Sequence, residues 1–153
     1  MGPTGRREVF TIGYERFLDP AGLAAELTAA GVGVVVDVRE VAVSRRRGYS
    51  KRGLRDALNA AGLRYRHARD LGNPKAYREL YRAGQVAAAR DLYRAHLRDG
   101  PPTWPALLRL AMTLDQEDPV CLLCVEDDPD RCHRTVVAEE LRSVRPGLAI
   151  VHL

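Results

Sequence analysis

The sequence predicts an α/β fold: a single domain with a mainly parallel sheet of about five strands, flanked by helices. Short apolar segments alternate with helical patterns along the chain. Two of these segments, VGVVVDV and VCLLCV, lack the polar alternation of a half-exposed strand, so we expect both faces of the sheet to be covered. The 153 residues suffice for one domain with a core. We place it at residues 8–153, after a flexible leader at residues 1–7.

The first elements follow from apolar runs and helix-start signals. VFTIGY is a first strand that ends at Gly13. Asp19 followed by Pro20 predicts a helix start, and the helix runs to about Ala30, where a glycine follows. The valine-rich residues 32–39 form a second strand.

The middle of the chain predicts a helix, a strand and a turn. Ser50 precedes an amphipathic pattern that closes at Gly62. Residues 63–67 form a shorter and more polar strand, which we place nearer an edge of the sheet. The sequence LGNP at residues 71–74 predicts a turn, and a further helical pattern covers residues 86–97.

The last part of the chain repeats the alternation of helix and strand. Thr103 starts a helix, after which residues 120–125 form a strand buried on both faces. A helix beginning at Cys132 runs to about Arg142, and residues 148–153 form a final strand.

Composition narrows the class of protein. No apolar stretch approaches the roughly 20 residues of a membrane span, and no signal-peptide pattern is visible, so we expect a cytoplasmic protein without membrane contact. The net charge is +4. Basic residues concentrate at 39–55, where seven of seventeen residues are Arg or Lys. This segment suits phosphates or nucleic acid, although a solvated loop has the same composition.

Four predicted strands end at a glycine or at a polar residue. Gly13, Asp37, His67 and Glu126 are each at or just after a strand end. In an open parallel sheet these ends share one edge, where ligands bind. The sequence therefore predicts one pocket containing these residues together with Arg39 and Arg134.

Five motifs, TIGYE, VVDVR, SRRRGYSK, RYRH followed by LGNP, and LLCVEDDPDRCHR, resemble in order and spacing the bacterial family known as domain of unknown function four-eight-eight. The resemblance covers the chain from about Val9 onward. One departure is Ala42, two residues before Ser44-Arg45, where the family typically has proline. The resemblance implies an α/β fold with a polar pocket built from these motifs, and it implies no particular reaction.

The residues themselves allow carboxylate acid/base chemistry. Glu126 ends a buried strand, where desolvation raises a carboxyl pKa, whereas Asp37 beside Arg39 stays ionised or forms a structural salt bridge. His67 is a further candidate catalytic residue. Residues suited to holding an anionic substrate lie in the same motifs: Gly13, Tyr14, Arg39, Ser44, Arg45, Ser50, Lys51, His133 and Arg134.

Cys132 offers a second chemistry. It stands at a helix start, where amide dipoles lower a thiol pKa, although four nearby acids oppose that effect. The spacing of a phosphatase loop, Cys, five residues and Arg, is absent from the sequence. Cys132 is therefore either a nucleophile or a structural residue at the helix start.

The cysteines predict neither a disulfide nor a zinc site. Cys121 and Cys124 are three apart in one strand, so their side chains point to opposite faces. Among the spacings of histidine, cysteine and acid, none is a metal signature, and we expect no cofactor. Mg²⁺ held by Asp37 and Glu126 against a phosphate is kept as an alternative.

These observations favour a hydrolase-type enzyme that acts on a nucleotide or nucleic acid by carboxylate acid/base chemistry. A non-catalytic nucleotide- or nucleic-acid-binding module is the first alternative, and a thiol-dependent enzyme using Cys132 is the second. The expected partner is a phosphate-containing small molecule or a nucleic acid. No feature of the sequence sets an oligomeric state.

Overall fold

The computed structural model of the chain describes residues 7–115 and 118–153. The predicted α/β class is confirmed: one five-stranded sheet has the order β3-β2-β4-β1-β5, and every neighbouring pair is parallel. The strands are β1 (Glu8–Gly13), β2 (Val34–Asp37), β3 (Arg64–His67), β4 (Val120–Cys124) and β5 (Ala149–His152). As predicted, the polar β3 lies at an edge. Of the expected leader, only Arg7 is among the described residues.

Six helices flank the sheet in the described part of the chain: α1 (Pro20–Ala29), α2 (Lys51–Ala60), α3 (Lys75–Arg82), α4 (Val86–Asp99), α5 (Thr103–Thr113) and α6 (His133–Val144). Five of them match the predicted helical patterns. The sequence analysis missed α3, which follows the LGNP turn directly. Within residues 7–115 and 118–153, no helix is long and apolar enough to cross a membrane.

The core lies on both faces of the sheet, as the apolar strands predicted. On one face, Val36, Leu122 and Cys124 pack against α4, α5 and α6. On the other, Ile12, Cys121 and their neighbours pack against α1 and α2. Cys121 and Cys124 therefore face opposite sides of β4, which confirms the strand-parity argument. The α4–α5–α6 face is the one that leads to the candidate site.

An ion-pair network joins α4 to α6. Glu140 on α6 has a side chain only 1% exposed, and its two carboxylate oxygens lie 2.5 Å from Arg94 Nη1 and 2.9 Å from Arg98 Nε. Arg94 also bonds Glu139 at 2.5 Å. This network fixes α6 against α4. The first residues of α6 belong to the candidate site.

We expect Glu140→Gln to lower the free energy of unfolding by about 1–3 kcal/mol at pH 7, because three charge-assisted hydrogen bonds from Arg94 and Arg98 are weakened. Burial alone would raise the pKa of Glu140, but hydrogen bonds from Arg98 and Arg94 outweigh it, so the folded-state pKa lies below its ordinary value of 4.5. The unfolded chain therefore takes up the proton first as the pH falls, and the contribution of Glu140 is lost in acid.

Urea unfolding between pH 7 and pH 3 measures this contribution. The difference between the wild type and Glu140→Gln should shrink below about pH 4.5. Glu26→Gln on the exposed side of α1 is the control, with an expected change within about 0.5 kcal/mol. A difference that is constant over this pH range would show that the carboxylate charge is not what stabilises the α4–α6 contact.

Candidate functional site

A cavity of about 250 Å³ opens beyond the carboxyl end of β4. The loop after β4, the first residues of α6 and the length of α3 form most of its wall. The residues that line it are Glu15, Asn73, Arg78, Tyr81, Arg82, Glu126, Asp128, Arg131, Cys132 and His133. Its position past the strand ends of a parallel sheet is where open α/β folds bind ligands.

The loop between β4 and α6 is held in place by hydrogen bonds from within the loop and from α6. The Asp128 carboxylate accepts a hydrogen bond from the Asp130 amide at 2.9 Å and starts a 3-10 turn at Pro129–Arg131. The fully buried Arg134 donates to the carbonyls of Glu126 and Asp127. These bonds fix the backbone of Glu126 at the cavity.

Gly13, at the end of β1, lies directly beneath this loop. A Cβ at Gly13 would stand 1.7 Å from the carbonyl oxygen of Glu126 and 2.3 Å from its carbon. Only a residue without a side chain lets the backbones approach this closely. The next two amides of the chain, Tyr14 and Glu15, donate to the carbonyls of Cys124 and Val125 and continue the β1–β4 pairing.

Two thiols and an imidazole meet at the inner wall of the cavity. His133 Nδ1 lies 3.9 Å from the Sγ of Cys124 and 3.9 Å from the Sγ of Cys132. His133 Nε2 lies 2.7 Å from the carbonyl oxygen of Val38. That carbonyl can only accept, so Nε2 carries a hydrogen, and in the neutral ring Nδ1 holds the lone pair that faces the sulfurs. We call these three residues the Cys–His cluster.

The cluster is buried, and its side chains shift one another's pKa values. Burial alone would raise the pKa of the Cys132 thiol, but hydrogen bonds with Cys124 and His133 lower it well below its ordinary value. The pKa of Cys124 is raised, first because of its hydrogen bond with Cys132 and then because of burial. At Glu126, burial followed by the negative charge of Cys132 raises the pKa to about 7. The cluster and Glu126 thus share one electrostatic environment.

Two polar atoms in the cavity wall have no partner. Among the described residues, the buried side-chain atoms without a hydrogen bond are Asn73 Oδ1, Tyr81 Oη and Arg134 Nε, and Asn73 and Tyr81 line the cavity. A buried polar group without a partner costs about 1–3 kcal/mol. A ligand in the cavity that offers a donor to Asn73 and accepts from Tyr81 would remove this cost.

The rim of the cavity carries charges of both signs. Arg78, Arg82 and Arg131 face Glu15 and Asp128 around the opening. Arg78 is held in place, because its Nη1 donates to the Asn73 carbonyl at 2.8 Å. Arg131 Nε lies 3.9 Å from the Asp128 carboxylate, with both side chains exposed. The arginines offer bidentate donors to an anionic group of a substrate.

The strand ends share one edge of the sheet, as predicted, but the predicted single pocket is not found, because only Glu126 of its six expected residues lines the cavity. The strand register places Asp37 beside His67 on one side and beside Leu123 on the other, and Gly13 beside Cys124. Of the residues singled out in the sequence, Glu126, Cys132 and His133 line the cavity, and Gly13 and Arg134 support Glu126 from beneath and behind.

Asp37 and Arg39 form a network of their own, away from the cavity lining. Arg39 Nη2 lies 2.7 Å from Asp37 Oδ2, and the Tyr65 hydroxyl donates to the same oxygen at 2.5 Å. Arg39 Nη1 donates to the carbonyl of Tyr49 at 2.8 Å. His67 Nε2 lies 2.7 Å from the Arg39 carbonyl. This is the structural salt bridge that the sequence analysis kept as the alternative for the pair.

Tyr14 and the basic segment at residues 44–55, whose last five residues belong to α2, also serve the fold. The ring of Tyr14 stacks on that of Tyr49 at 4.4 Å, and both residues are buried. Arg46 donates to the carbonyls of Glu15 and Phe17. Ser44 and Ser50 bond each other across the loop, whereas Arg45 and Lys51 are exposed. The cavity lining includes neither serine nor either of these two basic residues.

The sequence analysis missed one wall of the site. Arg78, Tyr81 and Arg82 lie on α3, and Asn73 lies in the turn before it. The signal for this wall was present, because Tyr77 and Tyr81 are four residues apart and Lys75 and Glu79 form an i, i+4 pair. Cys124 was considered with Cys121 and as the cysteine of a phosphatase loop, whereas its partners in the structure are Cys132 and His133 at the start of the next helix.

Comparison with known proteins gives one match. The family model described as "Domain of unknown function DUF488" matches residues 20–141. The matched range contains four of the five motifs, as well as α3 and the Cys–His cluster. Searches of curated proteins and of solved structures found no significant match.

Proposed function

The chain belongs to the family described as domain of unknown function DUF488, and we propose that it is a hydrolase-type enzyme for a phosphate-containing substrate. The observation that carries the proposal is the cavity beyond β4. It combines a largely buried carboxylate, Glu126, with arginines on its rim and unpartnered polar atoms in its wall. A nucleotide or a nucleic-acid end is the substrate class that this arrangement suits.

Each part of the cavity has a task in this proposal. The arginines of α3 and of the 3-10 turn bind the phosphate, with Arg78 fixed by the Asn73 carbonyl. Glu126 accepts the proton of the attacking water, because it is the carboxylate at the inner end of the cavity beside the Cys–His cluster. Asn73 Oδ1 and Tyr81 Oη orient the rest of the substrate by accepting and donating hydrogen bonds.

The test is hydrolysis of a panel of aryl phosphates, nucleotides and short oligonucleotides. We expect Glu126→Gln to lower kcat by about 10²–10⁴-fold with little change in KM, because the variant keeps the shape and loses the base. Arg82→Met should raise KM. Arg55→Met on the exposed side of α2 is the control, since Arg55 lies outside the cavity lining.

The alternatives give different results in the same assay. Salt-sensitive binding of oligonucleotides without turnover of any substrate would favour a non-catalytic module. Turnover that survives Glu126→Gln but is lost in Cys132→Ser would favour a thiol-dependent enzyme. Turnover that survives Glu126→Gln and Cys132→Ser alike would place the chemistry elsewhere.

A further inference from the structure

We propose that the Cys–His cluster is a binding site for a thiophilic divalent metal of the zinc class. Cys124, Cys132 and His133 would supply two sulfurs and Nδ1 as ligands, and the fourth position would face the cavity. The sequence offered no metal spacing, because Cys124 ends a strand and the other two residues begin the next helix. The fold brings them together, and their three candidate ligand atoms lie within 4.8 Å of one another.

The spacing of the three ligand atoms is close to that of a zinc site. A tetrahedral zinc ion with bonds of about 2.3 Å to sulfur and about 2.05 Å to nitrogen holds the nitrogen about 3.6 Å from each sulfur. The two distances from His133 Nδ1 to sulfur are both 3.9 Å. A contraction of about 0.3 Å would bring the nitrogen to coordinating distance of each sulfur. The nitrogen is equidistant from the two sulfurs, and all three ligand atoms lie within 4.8 Å of one another.

The imidazole of His133 is oriented as in a metal ligand. Histidine ligands of metals commonly donate the hydrogen of the second ring nitrogen to a carbonyl or carboxylate, which fixes the ring and the tautomer. His133 Nε2 is 2.7 Å from the Val38 carbonyl, and this bond leaves the Nδ1 lone pair on the side of the sulfurs. Arg134, the next residue, anchors the loop that joins Cys124 to Cys132.

The Cys–His cluster is closed by the core on one side and open to the cavity on the other. Cys124, Cys132 and His133 are 5%, 3% and 4% exposed, and Tyr93 packs edge-on against the His133 ring. On the other side, Cys132 and His133 line the cavity with Glu126 and with the unpartnered atoms of Asn73 and Tyr81. Three protein ligands with a fourth position open to a cavity is the arrangement of catalytic rather than structural zinc sites.

The ligand set selects the metal. Two sulfurs and one imidazole favour zinc and other thiophilic ions, whereas Mg²⁺ requires oxygen ligands. Asp37, which the sequence analysis kept as a magnesium ligand, is bound to Arg39 and Tyr65 and does not line the cavity. A metal-bound water at the open position would be the nucleophile of the hydrolysis. That role rests on the proposed function, but the binding of the metal does not.

The experiment is titration of the reduced, chelator-treated full chain with Co²⁺, combined with metal analysis of the protein purified in the presence of zinc. We expect one Co²⁺ per chain, with thiolate-to-cobalt charge-transfer bands and the intense visible bands of a tetrahedral site. Zn²⁺ should displace Co²⁺ and abolish the bands. Alkylation of the native protein should show Cys124 and Cys132 protected by bound metal.

The matched control is Cys121, which lies on β4 with Cys124, is equally buried and faces the opposite side of the sheet. Cys121→Ala should keep the cobalt bands and bind Co²⁺ within about 3-fold of the wild type. Cys124→Ala and His133→Asn should each weaken binding by more than 100-fold. If either variant fails to fold, the alkylation-protection measurement on the wild type still decides the question.

Some results would overturn the proposal. A wild type that takes up no stoichiometric zinc and shows no charge-transfer band contradicts it, as does loss of the bands in Cys121→Ala to the same degree as in Cys124→Ala. Bound metal without hydrolysis of any substrate would support the metal site and contradict the proposed function. Hydrolysis at full rate by the metal-free protein would contradict the reactive role of the metal.

Discussion

Replacing Arg39 by methionine should lower the free energy of unfolding by about 3–5 kcal/mol, because it leaves a buried carboxylate without its cation. The side chain of Asp37 is 0% exposed, and Arg39 is its salt-bridge partner at 2.7 Å. Arg39 also donates to the Tyr49 carbonyl, so the variant loses a second bond that ties β2 to the start of α2. Methionine retains most of the length of the side chain, which separates the loss of charge from the loss of packing.

Urea unfolding followed by circular dichroism measures the loss. The control is Arg64→Met, whose partner Asp118 lies 3.4 Å away and whose pair is exposed at 56% and 72%. Exposed pairs contribute about 0–1 kcal/mol, so the two substitutions should differ several-fold. If Arg39→Met changed stability by no more than Arg64→Met, the Asp37–Arg39 salt bridge would not stabilise the fold. The pair would then again be a candidate for substrate binding.

Gly13→Ala should destabilise the protein by about 1–3 kcal/mol or more, the usual range for a side chain forced into packed surroundings, and should also impair the site. The added methyl group would stand 1.7 Å from the Glu126 carbonyl oxygen. The obstruction is backbone on a loop that Arg134 holds in place. The loop must therefore shift, and Glu126 moves with it.

Gly22→Ala in α1 is the matched control. The nearest atom to a Cβ there is the Asp19 carboxylate at 3.5 Å, an ordinary contact, and alanine in a helix gains about 0.5–1 kcal/mol over glycine. Thermal unfolding of both variants and hydrolysis assays on the folded Gly13→Ala protein measure the two effects. Equal melting temperatures for the two variants would contradict the close approach of β1 and the β4–α6 loop.

The sequence predicted most of the fold because its signals are local and strong. Valine runs without polar alternation identify strands covered on both faces, and Asp19-Pro20 starts α1 as its capping bond to the Gly22 amide shows. The common edge of the strand ends followed from the parallel arrangement. The helix α3 was missed because most of its residues are polar or charged and only Tyr81 is buried, so its apolar stripe is narrow.

The roles of charged residues were harder to predict than the elements that carry them. Asp37 and Arg39 have the composition of a catalytic pair, and their burial and mutual bonds depend on Tyr65 and Tyr49, which come from elsewhere in the chain. Arg46 belongs to a run of three arginines, yet of these three it is Arg46 that donates hydrogen bonds to the carbonyls of Glu15 and Phe17. The Cys–His cluster depends on how β4 ends and α6 begins, which residue spacing alone does not encode.

The strand order has a consequence for the timing of assembly. β4 lies between β1 and β2, so these two early strands pair with a segment that leaves the ribosome more than eighty residues after β2. Contacts of such large sequence separation slow folding, and the N-terminal strands have no central neighbour until residues 120–124 arrive. Cys124 is the last residue of that strand. The thiols and the imidazole can therefore meet only after β4 has entered the sheet between β1 and β2 and α6 has begun, so the Cys–His cluster cannot form before residue 133 has been synthesised.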